Sequence, residues 1–224
     1  MTGDGRGDAG PVRVIDVSAP LADGLPAWPG DVPFRRVVTE SHDAGDGCEV
    51  SHVTTTLHAG THVDAPRHFG AGAPAVDELD PLLFLGPCRL VRVDVPPRDL
   101  VRPEHLEGVL DAPRVLVATG TLPDPDREFS RDFAALAPET VEALAEAGVR
   151  LVGIDAPSVD PFDSEDLPVH HALVRHGIVA IEGLRLAGVA PGRYDLVAVP
   201  LRIAGADASP VRALLLPPGT IRLS

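Results

Sequence analysis

HAGTHVDAPRHF, residues 58–69, sets three histidines and an aspartate within twelve positions that also hold a glycine and a proline. His58, His62, Asp64 and His68 all fall on even positions, so an extended backbone sends their side chains toward one face. A helix would also bring His58 and His62 together. However, Gly60 and the β-branched Thr61 and Val63 disfavour helix, and Pro66 would break it. The stretch therefore reads as a strand running into an irregular loop. Gly60 fits a close backbone approach or an unusual φ, and Ala65-Pro66 stiffens the turn that returns His68 to the same place.

Imidazole and carboxylate together suit zinc, manganese or iron, and a carboxylate can bridge two ions through its separate oxygens. A lone histidine is more often a hydrogen-bonded core or loop residue, but a cluster this dense points to metal. A second constellation lies downstream in PVHHALVRHGIVAIEGL, residues 168–184. There His170 and Glu182 flank an expected helix-to-strand connection that can point both into one cavity. Glu182 interrupts an apolar run, where a buried, unpaired carboxylate would cost several kcal/mol and so calls for a cation. An edge strand with Glu182 in solvent is the other reading, and local spacing leaves His171 and His176 open as ligands.

Around these stretches the chain of 224 residues suits one α/β domain with a mixed β-sheet core and few helices. Runs rich in β-branched residues at 12–18, 50–58, 88–95, 114–120, 150–157, 178–184 and 194–203 predict strands. PETVEALAEAGV predicts a helix from Pro138 to a stop at Gly148, with Val141, Leu144 and Ala145 as its apolar stripe. Shorter helices are expected at PEHLEGVL (103–110) and around HHALVRHG. Residues 1–11 read as a disordered tail with neither the basic start nor the apolar stretch of a signal peptide, ahead of a domain over 12–224.

A net charge of -14, with every one of the 19 basic residues an arginine, opposes an electrostatic grip on nucleic acid or anionic lipid. No apolar run is long enough to cross a bilayer. Cys48 and Cys88 lack the spacing of a thiolate zinc site or a redox pair, which suits a reducing cytoplasm. No GxSxG motif supports a serine hydrolase.

HAGTHVDAPRHF resembles the HxGTHxDxPxHF signature of the metal-dependent cyclase family, which includes the bacterial kynurenine formamidases (arylformamidases). PLADGLPAWPGDVPF, GPCRLVRVDV, VRLVGIDAPSVDP, HHALVRHGIVAIEGL and DASPVRALL resemble segments of those formamidases in the same order, over residues 13–217. The resemblance implies a swivelling β/β/α fold. It also implies a homodimer and two divalent metal ions, zinc or else manganese. His58, His62 and Asp64 correspond to the family's first ligands, with Asp64 bridging. His170 and Glu182, twelve residues apart, match the ligands of the second ion. His68 matches the proton-transfer residue, and Trp28 the tryptophan that contacts substrate.

The implied activity is hydrolysis of N-formyl-L-kynurenine to L-kynurenine and formate, a step of tryptophan catabolism. Paired metals supply a Lewis acid and lower the pKa of water toward about 7. An imidazole whose ordinary pKa is about 6.5 can take a proton from water and give it to a departing arylamine. Several formamidases carry HTGAHVDGPLHY or HTGTHIDAP at this place, so the signature fits the wider family as well as the one enzyme. The alternative is therefore another family hydrolase or cyclase, acting on a cyclic amide such as isatin or on a natural-product intermediate. A different class, a binding module with a purely structural metal, would saturate its ligands and exclude water. Arg67 can be read as a clamp for a substrate carboxylate or as a solvated charge, and the loop at 122–137 reveals no preference.

Overall fold

The computed structural model describes residues 13–222, so the expected tail at 1–11 lies outside the described residues. Thirteen strands and two α-helices follow one another. They are β1 (Ile15–Asp16), β2 (Arg35–Glu40), β3 (Val50–Thr54), β4 (His62–Asp64), β5 (Leu85–Arg92), β6 (Leu100–Val101), β7 (Arg114–Ala118) and β8 (Ala135–Leu136), then α1 (Pro138–Glu146), β9 (Leu151–Ile154), α2 (Pro168–His176), β10 (Val179–Glu182), β11 (Gly192–Val197), β12 (Ala208–Pro210) and β13 (Leu214–Leu216). Nine strands form one curled mixed sheet in the order β1-β13-β11-β5-β7-β9-β10-β4-β12. The run β5-β7-β9-β10 is parallel, and the strands added on either side are antiparallel. The expected α/β architecture, one mixed sheet with few helices, is what forms.

Strand alternation explains why both faces of the sheet are buried. Val115, Val117, Val152, Ile154 and Ala180 enter one core with Val141 and Leu144 of α1 and Val169, Ala172 and Leu173 of α2. Leu116, Ala118, Leu151, Val179 and Ile181 point the other way, into a second core with Phe84, Leu90, Leu196 and Leu215. α1 keeps the expected bounds: Pro138 occupies its first turn and Gly148, at φ 76°, follows its end. Its stripe is Thr140, Val141 and Leu144, with Ala145 half-buried beside it.

Other expectations are trimmed. The helix at 103–110 is only a 3-10 turn, Pro103–Leu106, because Glu107 turns extended and Gly108 takes φ 72°. The strand at 12–18 keeps two residues, and the one at 50–58 stops at Thr54. The strand at 194–203 ends at Val197, short of Pro200, which has no N–H for a ladder. β2 was not foreseen. It pairs with β3 in a hairpin whose residues are all exposed, so no buried face betrays it.

Candidate metal centre

The site forms where β4 meets β10. Antiparallel pairing sets Glu182 directly opposite His62 and Ala180 opposite Asp64, so an imidazole and a carboxylate stand side by side on one face. Val63 between them points into the second core. Only His62 and Asp64 owe their common face to strand alternation. His58 comes from a turn before β4, and His68 from a 3-10 turn opened by Pro66, so of the strand expected to run into an irregular loop only three residues are extended, and His58 lies outside them. Gly60, at φ 62°, carries the chain from His58 into β4, and its carbonyl accepts from His62 Nδ1 at 3.1 Å. Gly183, at φ 67°, passes so close that a Cβ there would lie 2.2 Å from the Gly60 oxygen.

α2 supplies His170 from the other side. Asp160 accepts from the backbone N–H of Val169 and His170, at 3.1 and 3.0 Å, and contacts His170 Nδ1 at 2.6 Å. The first turn of the helix and the ring are thereby fixed together. His170 Nε2 lies 3.3 Å from Glu182 Oε1 and 3.7 Å from Asp64 Oδ2. On the other side His58 Nδ1 and His62 Nε2 lie 3.0 and 3.3 Å from Asp64 Oδ1, and His62 Nε2 is 3.5 Å from Glu182 Oε2. Each oxygen of Asp64 thus faces a different set of partners.

His62, Asp64, His170 and Glu182 are all buried, and two carboxylates so placed require positive charge between them. His62 Nε2 and Asp64 Oδ1 are close to each other and to Glu182 and His58 respectively, but neither atom makes an aligned hydrogen bond. Such orphans are costly unless something else binds them. Donor separations of 3.0–3.7 Å match the edge of a coordination sphere with bonds of about 2.0–2.2 Å. His58, His62 and Asp64 form one set able to hold an ion, and Asp64, His170 and Glu182 a second that shares the aspartate. The residues present fit divalent metal.

Burial alone would depress both imidazoles, but the nearby carboxylates of Asp64 and Glu182 overcome it and push His62 up to about 10. Asp160, Asp64 and Glu182 likewise overcome burial at His170 and raise it to about 11. The same histidines, against the opposing effect of burial, hold Asp64 and Glu182 below the usual carboxylate range. His68 differs: burial outweighs nearby carboxylates and lowers it.

These residues floor a cavity of about 570 Å³, a size suited to a small organic ligand. Trp28 forms part of its wall, with its ring 4.9 Å from Phe162 at a tilt of 30° and edge-on to Phe129 at 5.6 Å. His68 also lines it, 4.2 Å from the His58 ring. Trp28, His58, His62, Asp64, His68, His170 and Glu182, the residues matched to family roles in the sequence, therefore line one space, and the three left open do not. His171 is exposed, His176 pairs with Glu142, and Arg67 lies 3.9 Å from Glu78 away from the cavity wall. The arginine that does line the cavity is Arg185, tied to Asp126 and to the Gly183 carbonyl. Sequence reasoning missed Asp160, Asp207, Phe129 and Phe162. The motif stretches ending in DP and beginning DASP contain both aspartates, which is the only signal that could have drawn attention to them.

The sequence model of the Cyclase family, described as "Putative cyclase", matches residues 15–161. A kynurenine formamidase of Salinibacter ruber is 46% identical over 208 residues, which cover 91% of this chain and 97% of that protein. A solved structure of a "predicted metal-dependent hydrolase" from Bacillus stearothermophilus superposes with a TM-score of 0.77 at 31% identity, covering 92% of this chain and 98% of that one. Isatin hydrolase A of Ralstonia solanacearum has the same fold, with a TM-score of 0.78 at 24% identity and 92% of both chains covered.

Proposed function

The chain belongs to the Cyclase family, and from that premise we propose that it is a metal-dependent amide hydrolase that converts N-formyl-L-kynurenine and water to L-kynurenine and formate. The observation that carries the reading is the pair of ligand sets sharing Asp64 on the floor of an aromatic-walled cavity. His58, His62 and Asp64 would hold one divalent ion and Asp64, His170 and Glu182 the other, as zinc or else manganese. Bound there, such ions supply a Lewis acid and lower the pKa of water. The cavity opens directly onto the ligands, which favours a catalytic over a closed structural site.

Trp28, with Phe129 and Phe162, offers ring faces against which an aryl group can pack. His68, kept neutral near pH 7 by its burial, accepts a proton as water attacks the formyl carbon. It returns that proton to the aniline nitrogen as the C–N bond breaks, since an arylamine leaves poorly as an anion. The homodimer belongs to the same reading. It is supported by the exposed Val37, Val38, Val50 and Val53 of the β2–β3 hairpin, apolar surface that a single chain leaves uncovered.

The test is formate release from N-formylkynurenine by the zinc- or manganese-loaded protein, with isatin assayed alongside. Turnover of the formamide, lost about 10²–10⁴-fold in His68→Ala with metal content retained, supports the reading. Loaded protein that opens isatin and leaves the formamide intact moves the assignment to a cyclic amide.

A further inference from the structure

Asp207 stands at the rim of the cavity, outside the two ligand sets that share Asp64, and forms with His58 and His68 a third, less buried group of donors. We propose that it is a positioning residue that ties ligand His58 to proton carrier His68 through one carboxylate oxygen. The inference rests on the hydrolase reading above and on the role given there to His68.

Asp207 Oδ2 accepts a hydrogen bond from His58 Nε2 at 3.0 Å and lies 3.4 Å from His68 Nδ1, an electrostatic contact without hydrogen-bond alignment. The two rings lie 4.2 Å apart and are inclined by 36°, so a single oxygen reaches both. A carboxylate only accepts, so once a cation takes the Nδ1 lone pair of His58 in place of the contact with Asp64, one tautomer is favoured at each ring. His58 carries its proton on Nε2 and leaves the Nδ1 lone pair toward Asp64 and a cation. His68 carries its proton on Nδ1 and leaves Nε2 for transfer. A carboxylate behind a metal-binding imidazole is the arrangement that Asp160 makes with His170. Asp207 differs in serving a second ring that is not a ligand.

The backbone places this oxygen. The Asp207 carbonyl accepts from Ala65 N at 2.8 Å, and the next residue, Ala208, is paired with Asp64 across β12 and β4. β12 is one of the two edge strands of the nine-stranded sheet, and a slip of one residue would turn its side chains to the opposite face. Asp207 itself precedes the strand, so its side chain is free of the alternation of β12 and reaches the two histidines while its backbone stays tied to Ala65.

The experiment compares metal-saturated wild type with Asp207→Ala, Asp207→Asn, His68→Ala and the His68→Ala/Asp207→Ala double variant. Substrates are N-formylkynurenine and an aryl formate ester whose phenolate leaves without a proton. Asp207→Ala is expected to lower kcat on the amide about 10- to 100-fold with KM little changed, and to cost the ester less, since the ester needs His68 to accept a proton but not to return it. Metal affinity, read by chelator competition, should fall by a similar factor with full stoichiometry at saturation. Asp207→Asn, which keeps an acceptor oxygen, should recover part of both. The double variant should be no slower on the amide than His68→Ala alone.

Wild-type kcat in Asp207→Ala, equal losses on amide and ester, or multiplicative losses in the double variant would each overturn the inference. So would loss of a metal equivalent at saturation, which would make Asp207 a ligand. Fully active His68→Ala sinks the proton-carrier reading and this inference together. Slow His68→Ala beside unimpaired Asp207→Ala sinks this inference alone.

Discussion

The site's two halves are built differently. His58, His62, Asp64 and His68 come from eleven consecutive residues, aimed by a turn, a three-residue strand and a 3-10 turn. His170 and Glu182 come from a helix and a central strand that must pack correctly before their side chains meet. The aspartates behind them differ in the same sense. Asp160 is wholly buried and bonds both ring and helix, whereas the side chain of Asp207 is 44% exposed at the rim. Half of the site is local geometry open to solvent, and the other half is tertiary structure sealed in the core.

The sharpest break comes where the halves join. In Asp64→Asn one oxygen becomes an amide, so neither ligand set keeps its shared carboxylate. Elemental analysis should find less than one metal per chain, and turnover should fall further than the about 10²–10⁴-fold expected for loss of the acid–base histidine. Asp160→Ala probes the sealed half. It strips acceptors from His170 Nδ1 and from two N–H groups of α2, and thermal or urea unfolding should register about 3–5 kcal/mol of destabilisation. An Asp207→Ala variant that destabilised the protein equally would erase the distinction between the halves.

Protons offer a third probe. In metal-free protein His62 and His170 titrate near 10 and 11, above the ordinary imidazole value of about 6.5. Their contribution to the stability of that form is therefore whole below about pH 6.5 and is lost as pH rises through about 10 and 11. A cation needs neutral rings, so binding at pH 8 must expel protons, and affinity should climb with pH. Calorimetry in two buffers of different ionisation enthalpy should register at least one proton released per ion. The smallest effect is expected at the wall. Trp28→Ala removes ring contacts worth about 0.5–1.5 kcal/mol, so kcat/KM for the aryl amide should fall several-fold with metal content unchanged.

The local half was legible because its chemistry is dense: three imidazoles and a carboxylate seldom crowd into one stretch except to hold a cation. Period two, however, accounts only for His62 and Asp64, and the placement of His58 and His68 depended on Gly60 and Pro66, whose turns have no hydrophobic pattern to announce them. In the packed half, Glu182 stood out as a charge in an apolar run, but the choice of His170 over His171 needed the family spacing. The structure separates them by helix face, one buried and one exposed. Asp160 and Asp207 were illegible because an aspartate in a loop looks solvated until its partner arrives from elsewhere in the chain. The valines of β2 and β3 alternate about no buried face, so a period-two reading could not pair them.

Gly183 performs no chemistry, yet the 2.2 Å separation that any Cβ there would have from the Gly60 oxygen makes it a hinge pin between the two halves. A saturation scan should find this position as intolerant as a ligand, for a mechanical reason: even alanine would wedge the strand bearing Glu182 away from the loop bearing His58. Protein engineers who remodel the cavity for other amides have freedom in its aromatic walls and almost none at this crossing.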